Sequence, residues 1–166
     1  DGDITLSETN AIMDHILDTH DDGRLRPAPG TPNRADYLFW FHVSQGSLQP
    51  LLTNKFVMMA MTARAPFFLK PAAKMLVGGL DKAFFGPRLK ALMTEIEKAL
   101  GKSTWFAGDN LTAADIVMGY SMELAAHRAG MDAGNYPNAH RFLQQMRAYP
   151  SYQRALEKDG KGTILL

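Results

Sequence analysis

Residues 105–125, WFAGDNLTAADIVMGYSMELA, contain the most informative local signal in the chain. Thr112 directly precedes an apolar helical run, and Asp115 follows three positions later. This is the spacing of a capping box: the hydroxyl takes an N–H of the first turn while the carboxylate returns to the backbone N–H of Thr112. Leu111 before the cap and Ile116 at the fourth helical position suit a hydrophobic staple, and the Asp115 charge suits the positive end of a helix. The pattern predicts a helix over about 112–129. A capping box recurs in many folds and by itself assigns no function.

Working outward from this helix, apolar periodicity stays helical. Pro87 can open a helix that carries Leu89, Leu92, Met93, Ile96 and Leu100 and ends at Gly101. Further helices are predicted over about 138–148 and 150–158. Upstream, Tyr37, Leu38, Phe41, Ser44, Leu48, Leu51 and Leu52 fall on one broad face, with Gly46 and Pro50 expected to bend or break that helix. Residues 62–87 are the least regular stretch, cut by Pro66, Pro71, Gly78-Gly79 and Gly86-Pro87. Residues 21–33, DDGRLRPAPGTPN, hold three prolines and two glycines, the composition of a linker. Before it, Ile4-Thr5-Leu6 reads as a short strand after a Gly-containing turn, and Ser7-Glu8-Thr9 offers caps for a helix from Ala11 to His20. Alternating β patterning does not return after the linker. The predicted architecture is five or six helices burying stripes against one another, an all-α bundle.

Composition narrows the partners. Eighteen basic against seventeen acidic residues give a net charge of +1, which calls for neither nucleic acid nor an anionic membrane as partner. The absence of cysteine removes disulfides, thiolate metal sites and a cysteine nucleophile, and it fits a cytoplasmic setting. The longest apolar run, Phe56 to Met61, is far short of the roughly 20 residues of a membrane-spanning helix, and DGDITLSE lacks a signal-peptide pattern. His15, His20, His127 and His140 show no spacing of a metal site, so no metal is expected. The opening Asp-Gly-Asp reads as a turn and not as an initiation site, so the chain is expected to begin within a longer protein.

With its flanks, the central segment gains specificity. WFAGD followed by LTAADI resembles the entry into the buried central helix of the C-terminal domain of glutathione transferases. Three more stretches agree in order. GDITLSETNAI resembles the family's strand, turn and helix that hold the glutamyl end of glutathione, usually Leu-x-Glu-Ser-x-Ala-Ile. YLFWFHVSQGSLQPLL resembles the first long helix of the C-terminal domain in a fungal and bacterial branch. YPNAHRFLQQMRAYPSYQRALEK resembles the last two helices with their Pro-x-Tyr-x-Arg-Ala-Leu signature. The resemblance implies residues 1–20 as the end of a thioredoxin-like, glutathione-binding domain, 21–33 as linker and 34–166 as the helical domain. The fold implied is thus all-α with a short α/β remnant.

It also implies function. Glu8 and Thr9 match the acidic and hydroxyl residues that hold glutathione's glutamyl end, with Thr where Ser is commoner. Read as residues alone, Ser7, Glu8 and Thr9 are rather a helix cap, and the resemblance reverses that reading. His42, Ser44 and Gln45 lie on the helix that the resemblance turns toward the electrophile. His42 suits proton exchange near neutral pH, and Gln45 stands where related sequences often carry Glu. His42 and Gln45 are taken as substrate-binding candidates. Phe56, Met58, Met59, Met61, Phe67 and Phe68 form a soft apolar group, either cleft wall or ordinary core. The implied protein is a cytoplasmic, homodimeric transferase for detoxification that uses glutathione as co-substrate against hydrophobic electrophiles. Its thiolate-stabilising residue is expected before Asp1, so no residue here is assigned the catalytic role. Dimer contacts are expected on the Ala11 to His20 helix and the first helix after the linker, through Tyr37 and Trp40. Two other functions stay open: a non-catalytic interaction module of the kind found in translation-factor subunits and stress-response regulators, and a glutathione-dependent peroxidase, reductase or isomerase.

Overall fold

The computed structural model describes residues 1–159. Its helices are α1 (Thr9–Thr19), α2 (Arg34–Val43), α3 (Gln49–Arg64), α4 (Lys70–Leu80), α5 (Gly86–Leu100), α6 (Ala113–Arg128), α7 (Pro137–Arg147) and α8 (Pro150–Asp159). No strand occurs among the described residues, and the all-helical bundle is the observed fold. The final residues of the expected 34–166 domain, 160–166, lie outside the described residues.

Two single π-helical turns, Ser44–Leu48 and Asp81–Phe85, join α2 to α3 and α4 to α5 without a break. Each precedes a helix whose second residue is proline, Pro50 and Pro87. A proline ring inside an α-helix collides with the carbonyl four residues back and cannot donate to it. Widening the turn by one residue relieves the collision, and the ladder resumes through Gln49 N–H to the Ser44 carbonyl and Gly86 N–H to the Asp81 carbonyl. The expected bend at Gly46 and Pro50 is thus a π turn. Gly78-Gly79, read as a break, lies within α4.

The capping box is present as predicted. Asp115 Oδ2 accepts from Thr112 N–H and from Thr112 Oγ1, both at 2.8 Å. Its other oxygen accepts from Phe106 N–H at 2.8 Å, so one buried carboxylate fixes both the helix start and the preceding loop. Burial pushes the Asp115 carboxyl above its ordinary range while these donors pull it down. From this start α6 runs through the centre of the bundle, buried on nearly every side. Gly119 permits the close approach of α7, since a Cβ there would lie 3.2 Å from the Met146 methyl. An aromatic chain completes the core, Trp40 against Phe106 at 4.7 Å and Phe106 against Phe142 at 4.9 Å.

Two expectations are corrected. Ile4-Thr5-Leu6 is not a strand. The preceding turn closes, with Ile4 N–H on the Asp1 carbonyl at 3.0 Å, but no other strand among the described residues is there to pair with it. Tyr37 and Trp40 do not form a surface, being only 2% and 4% exposed in the core. Helical spacing shows which residues share a face; it does not say which face turns inward. Leu38 and Phe39 are the exposed large groups of α2.

Candidate functional site

The start of α1 is unusual. Glu8 has φ 76°, the one positive φ on a non-glycine residue among the described residues. Such a backbone costs of order 1–3 kcal/mol and persists only where its surroundings enforce it. Glu8 makes no side-chain hydrogen bond to the helix it precedes. The first-turn N–H groups therefore lack a cap from Glu8, and the positive end of α1 faces outward with Glu8 and Thr9 exposed.

Beside it lies a groove of about 280 Å³, lined by Thr9 and Met13 of α1, Gln45 of the π turn, Gln49 of α3, and Val117 and Tyr120 of α6, among others. Two residues singled out in the sequence, Thr9 and Gln45, thus line one groove. Gln45 is half-buried and sits over Gln49, Nε2 to Oε1 at 3.4 Å, and Gln49 Oε1 also accepts from Ser121 Oγ of α6 at 3.3 Å. Amide groups at this wall can donate and accept hydrogen bonds, but neither can act as an acid. Ser44 faces the interior instead, its hydroxyl on the Phe41 carbonyl at 2.9 Å.

His42 is not brought to this groove. It lines a separate cleft of about 300 Å³ with Asp14, Asp18, Arg26 and Arg34. His42 and Gln45 are three positions apart and would be neighbours on a regular α-helix, but the π turn that starts at Ser44 intervenes. Glu8 stands at the helix start beside Thr9 but does not line the groove. Of the soft apolar group, Met58 alone is buried, and the Phe and other Met side chains are exposed, so that group is not core.

Several positioning residues escaped the sequence reading. Asn10 Nδ2 donates to the Phe41 carbonyl at 3.0 Å and fixes α1 against α2. Arg26 in the linker pairs with Asp14 of α1 at 2.7 Å, while Leu25 accepts from Ala113 N–H at 2.9 Å. The linker thereby ties α1 to the start of α6. Neither contact had a local sequence signal, because the partners lie in separate elements. Among the described residues no group of three or more His, Asp, Glu or Cys side chains converges as metal ligands would.

Comparison with known proteins bears on this arrangement. The family described as glutathione S-transferase, C-terminal domain, matches residues 60–159. Glutathione S-transferase 3 of Schizosaccharomyces pombe is 24% identical over 166 residues, all of this chain and 68% of that protein. A glutathione S-transferase from Actinobacillus pleuropneumoniae aligns in structure with a TM-score of 0.68 at 26% identity, over 99% of this chain and 69% of the other. A sphingomonad glutathione S-transferase solved with glutathione aligns with a TM-score of 0.67 at 23% identity, over 98% of this chain and 72% of the other. The chain thus spans about two thirds of the length of such relatives. With a family match over more than half its length, the chain belongs to the glutathione S-transferases and holds their C-terminal domain.

Proposed function

We propose that the whole protein is a cytoplasmic glutathione transferase that joins glutathione to a hydrophobic electrophile. Thr9 and Glu8 hold the glutamyl end of glutathione at the start of α1, and the electrophile lies toward Gln45. Residues 1–20 then serve the glutathione-binding domain, 21–33 the linker and the remainder the helical domain. A homodimer is the working assembly.

The observation that carries this reading is the joint lining of one groove by Thr9 and Gln45. A carboxylate beside a helix start without a side-chain cap gains from geometry already present. The Glu8 carboxylate suits the glutamyl ammonium. Strain retained at Glu8 favours an enzyme over a pure interaction module, which gains nothing from a costly backbone there. His42 has no part in the reading, since its ring lines the other cleft.

Calorimetry with glutathione on the whole protein tests this. Thr9→Ala should bind glutathione about tenfold more weakly, the loss expected for a hydrogen bond to a charged group, and Glu8→Ala at least as weakly. Unchanged affinity in both variants would reduce the two residues to helix-start roles. Conjugation of a hydrophobic electrophile, against peroxide reduction or isomerisation measured beside it, separates the reaction types.

A further inference from the structure

The end of the bundle formed by α3, α4 and the turn between them carries the largest apolar groups that the glutathione reading leaves unused. Phe67 and Phe68, in that turn, are 85% and 67% exposed, and Met75 and Leu76 of α4 are 71% and 69% exposed. No residue of α4 is buried. Scattered exposed apolar residues are ordinary, but a contiguous group of this kind marks a contact surface.

Charge identifies the partner. Between Lys55 and Lys90 the chain has seven basic residues, and Asp81, paired with Lys55 at 3.3 Å, is the only acidic one. The rest of the chain has eleven basic and sixteen acidic residues. A near-zero net charge thus averages a basic stretch against an acidic remainder. Within that stretch Lys55, Lys82, Arg88 and Lys90 lie away from the α3–α4 turn, while residues 64–80 hold Arg64, Lys70 and Lys74 and no acidic residue. The whole-chain net charge from which no membrane partner was expected therefore does not describe this end. Among the described residues, Arg64, Lys70 and Lys74 around the turn have no ion-pair partner. Lys70 and Lys74, four apart, share one face of α4, while Leu69, Leu76 and Leu80 form a neighbouring stripe.

The turn holds both rings outward. Leu69 N–H and Lys70 N–H donate to the Pro66 carbonyl, at 2.9 and 3.1 Å, and the two exposed rings stand edge to face at 5.6 Å. No helix among the described residues is long and apolar enough to cross a membrane. A second copy is a poor occupant, because joining two such ends would bring like charges together.

We propose that the α3–α4 end docks peripherally on an anionic lipid bilayer. Phe67 and Phe68 enter the boundary between headgroups and acyl chains, and Arg64, Lys70 and Lys74 meet lipid phosphates. The surface is independent of the glutathione site.

Flotation of the full chain with vesicles tests this. Vesicles of phosphatidylcholine mixed with phosphatidylglycerol should carry the protein at low salt, and vesicles of phosphatidylcholine alone should carry far less. Raising salt should release it. The double variants Phe67→Ser/Phe68→Ser and Lys70→Glu/Lys74→Glu should each weaken binding at least about tenfold. In a Phe67→Trp variant, emission should shift to the blue on adding the anionic vesicles, against a constant background from buried Trp40 and Trp105. No flotation with anionic vesicles, no blue shift, or wild-type binding by both double variants would overturn the proposal. So would sedimentation showing a lipid-free dimer that Phe67→Ser/Phe68→Ser dissociates, since the surface would then belong to self-association.

Discussion

Glu97 and Arg141 fasten α5 to α7 in opposite senses. Glu97 of α5 accepts from Asn138 N–H and Nδ2 at 2.9 and 2.7 Å and from Ala139 N–H at 2.9 Å, capping the start of α7. Arg141 of α7 donates to the Leu100 carbonyl at 2.8 Å and the Thr104 carbonyl at 3.1 Å, closing the end of α5. Each helix supplies the other's missing terminal partner. Glu97→Ala and Arg141→Ala should each lower stability by about 1–2 kcal/mol, the range of a lost helix cap. Urea unfolding of the two variants checks this, and a loss under a few tenths in both would show that the ends are held otherwise.

Asp115→Ala should cost more than an ordinary cap, because it strands three donors in a buried loop. About 3 kcal/mol is expected, with Asp115→Asn intermediate since one amide oxygen still accepts. Thermal melts of the two variants against the parent decide it, and an order of Asn below Ala would contradict the hydrogen-bond account.

Acid should loosen the junction of α6 with α7 and α8. Glu123 accepts from Arg147 Nε at 2.8 Å and from the Tyr152 hydroxyl at 2.7 Å. Burial pushes the Glu123 carboxyl up, but these donors outweigh it and hold the carboxyl below its ordinary value. A depressed folded value gives stability that is full above the unfolded value, about 4.3, and fades as pH falls through the folded one. Glu123→Gln should flatten the acid limb of the stability curve below about pH 5. An unchanged limb would assign acid sensitivity elsewhere.

At Glu8 the backbone itself is testable. Glycine accepts a positive φ without strain, so Glu8→Gly should be more stable than Glu8→Ala by about 1 kcal/mol, although both lose the carboxylate. Melting temperatures give the comparison. Equal values would mean that the Glu8 backbone relaxes when its side chain is removed.

What could be read in the sequence was local. The start of α6 was legible because Thr112 and Asp115 satisfy each other within one turn, and the starts of α5 and α8 because Pro87 and Pro150 punctuate them. Gly46 and Pro50 announced a disruption but not its form, since a π turn and a kink relieve the same collision. Inward and outward faces were misjudged at Tyr37 and Trp40, and the ring that covers Trp40, Phe106, comes from a distant loop. At the candidate site Thr9 and Gln45 were legible through family likeness. Asn10, Arg26 and the Glu97–Arg141 exchange were not, because each acts across many residues of intervening chain.

The π turn at Ser44–Leu48 also sets the angular phase between α2 and α3. Its extra residue offsets one helix from the other by about 100°, the rotation of one α-helical step. Deleting Gly46 would remove the extra residue, turn α2 by that amount against α3 and set the Pro50 ring back against the carbonyl four residues before it. Tyr37, Trp40 and Phe41 would swing out of the core, and Gln45 would leave the wall it shares with Thr9. One residue inserted in a helix therefore acts as the gear that meshes the interior of the bundle with its groove.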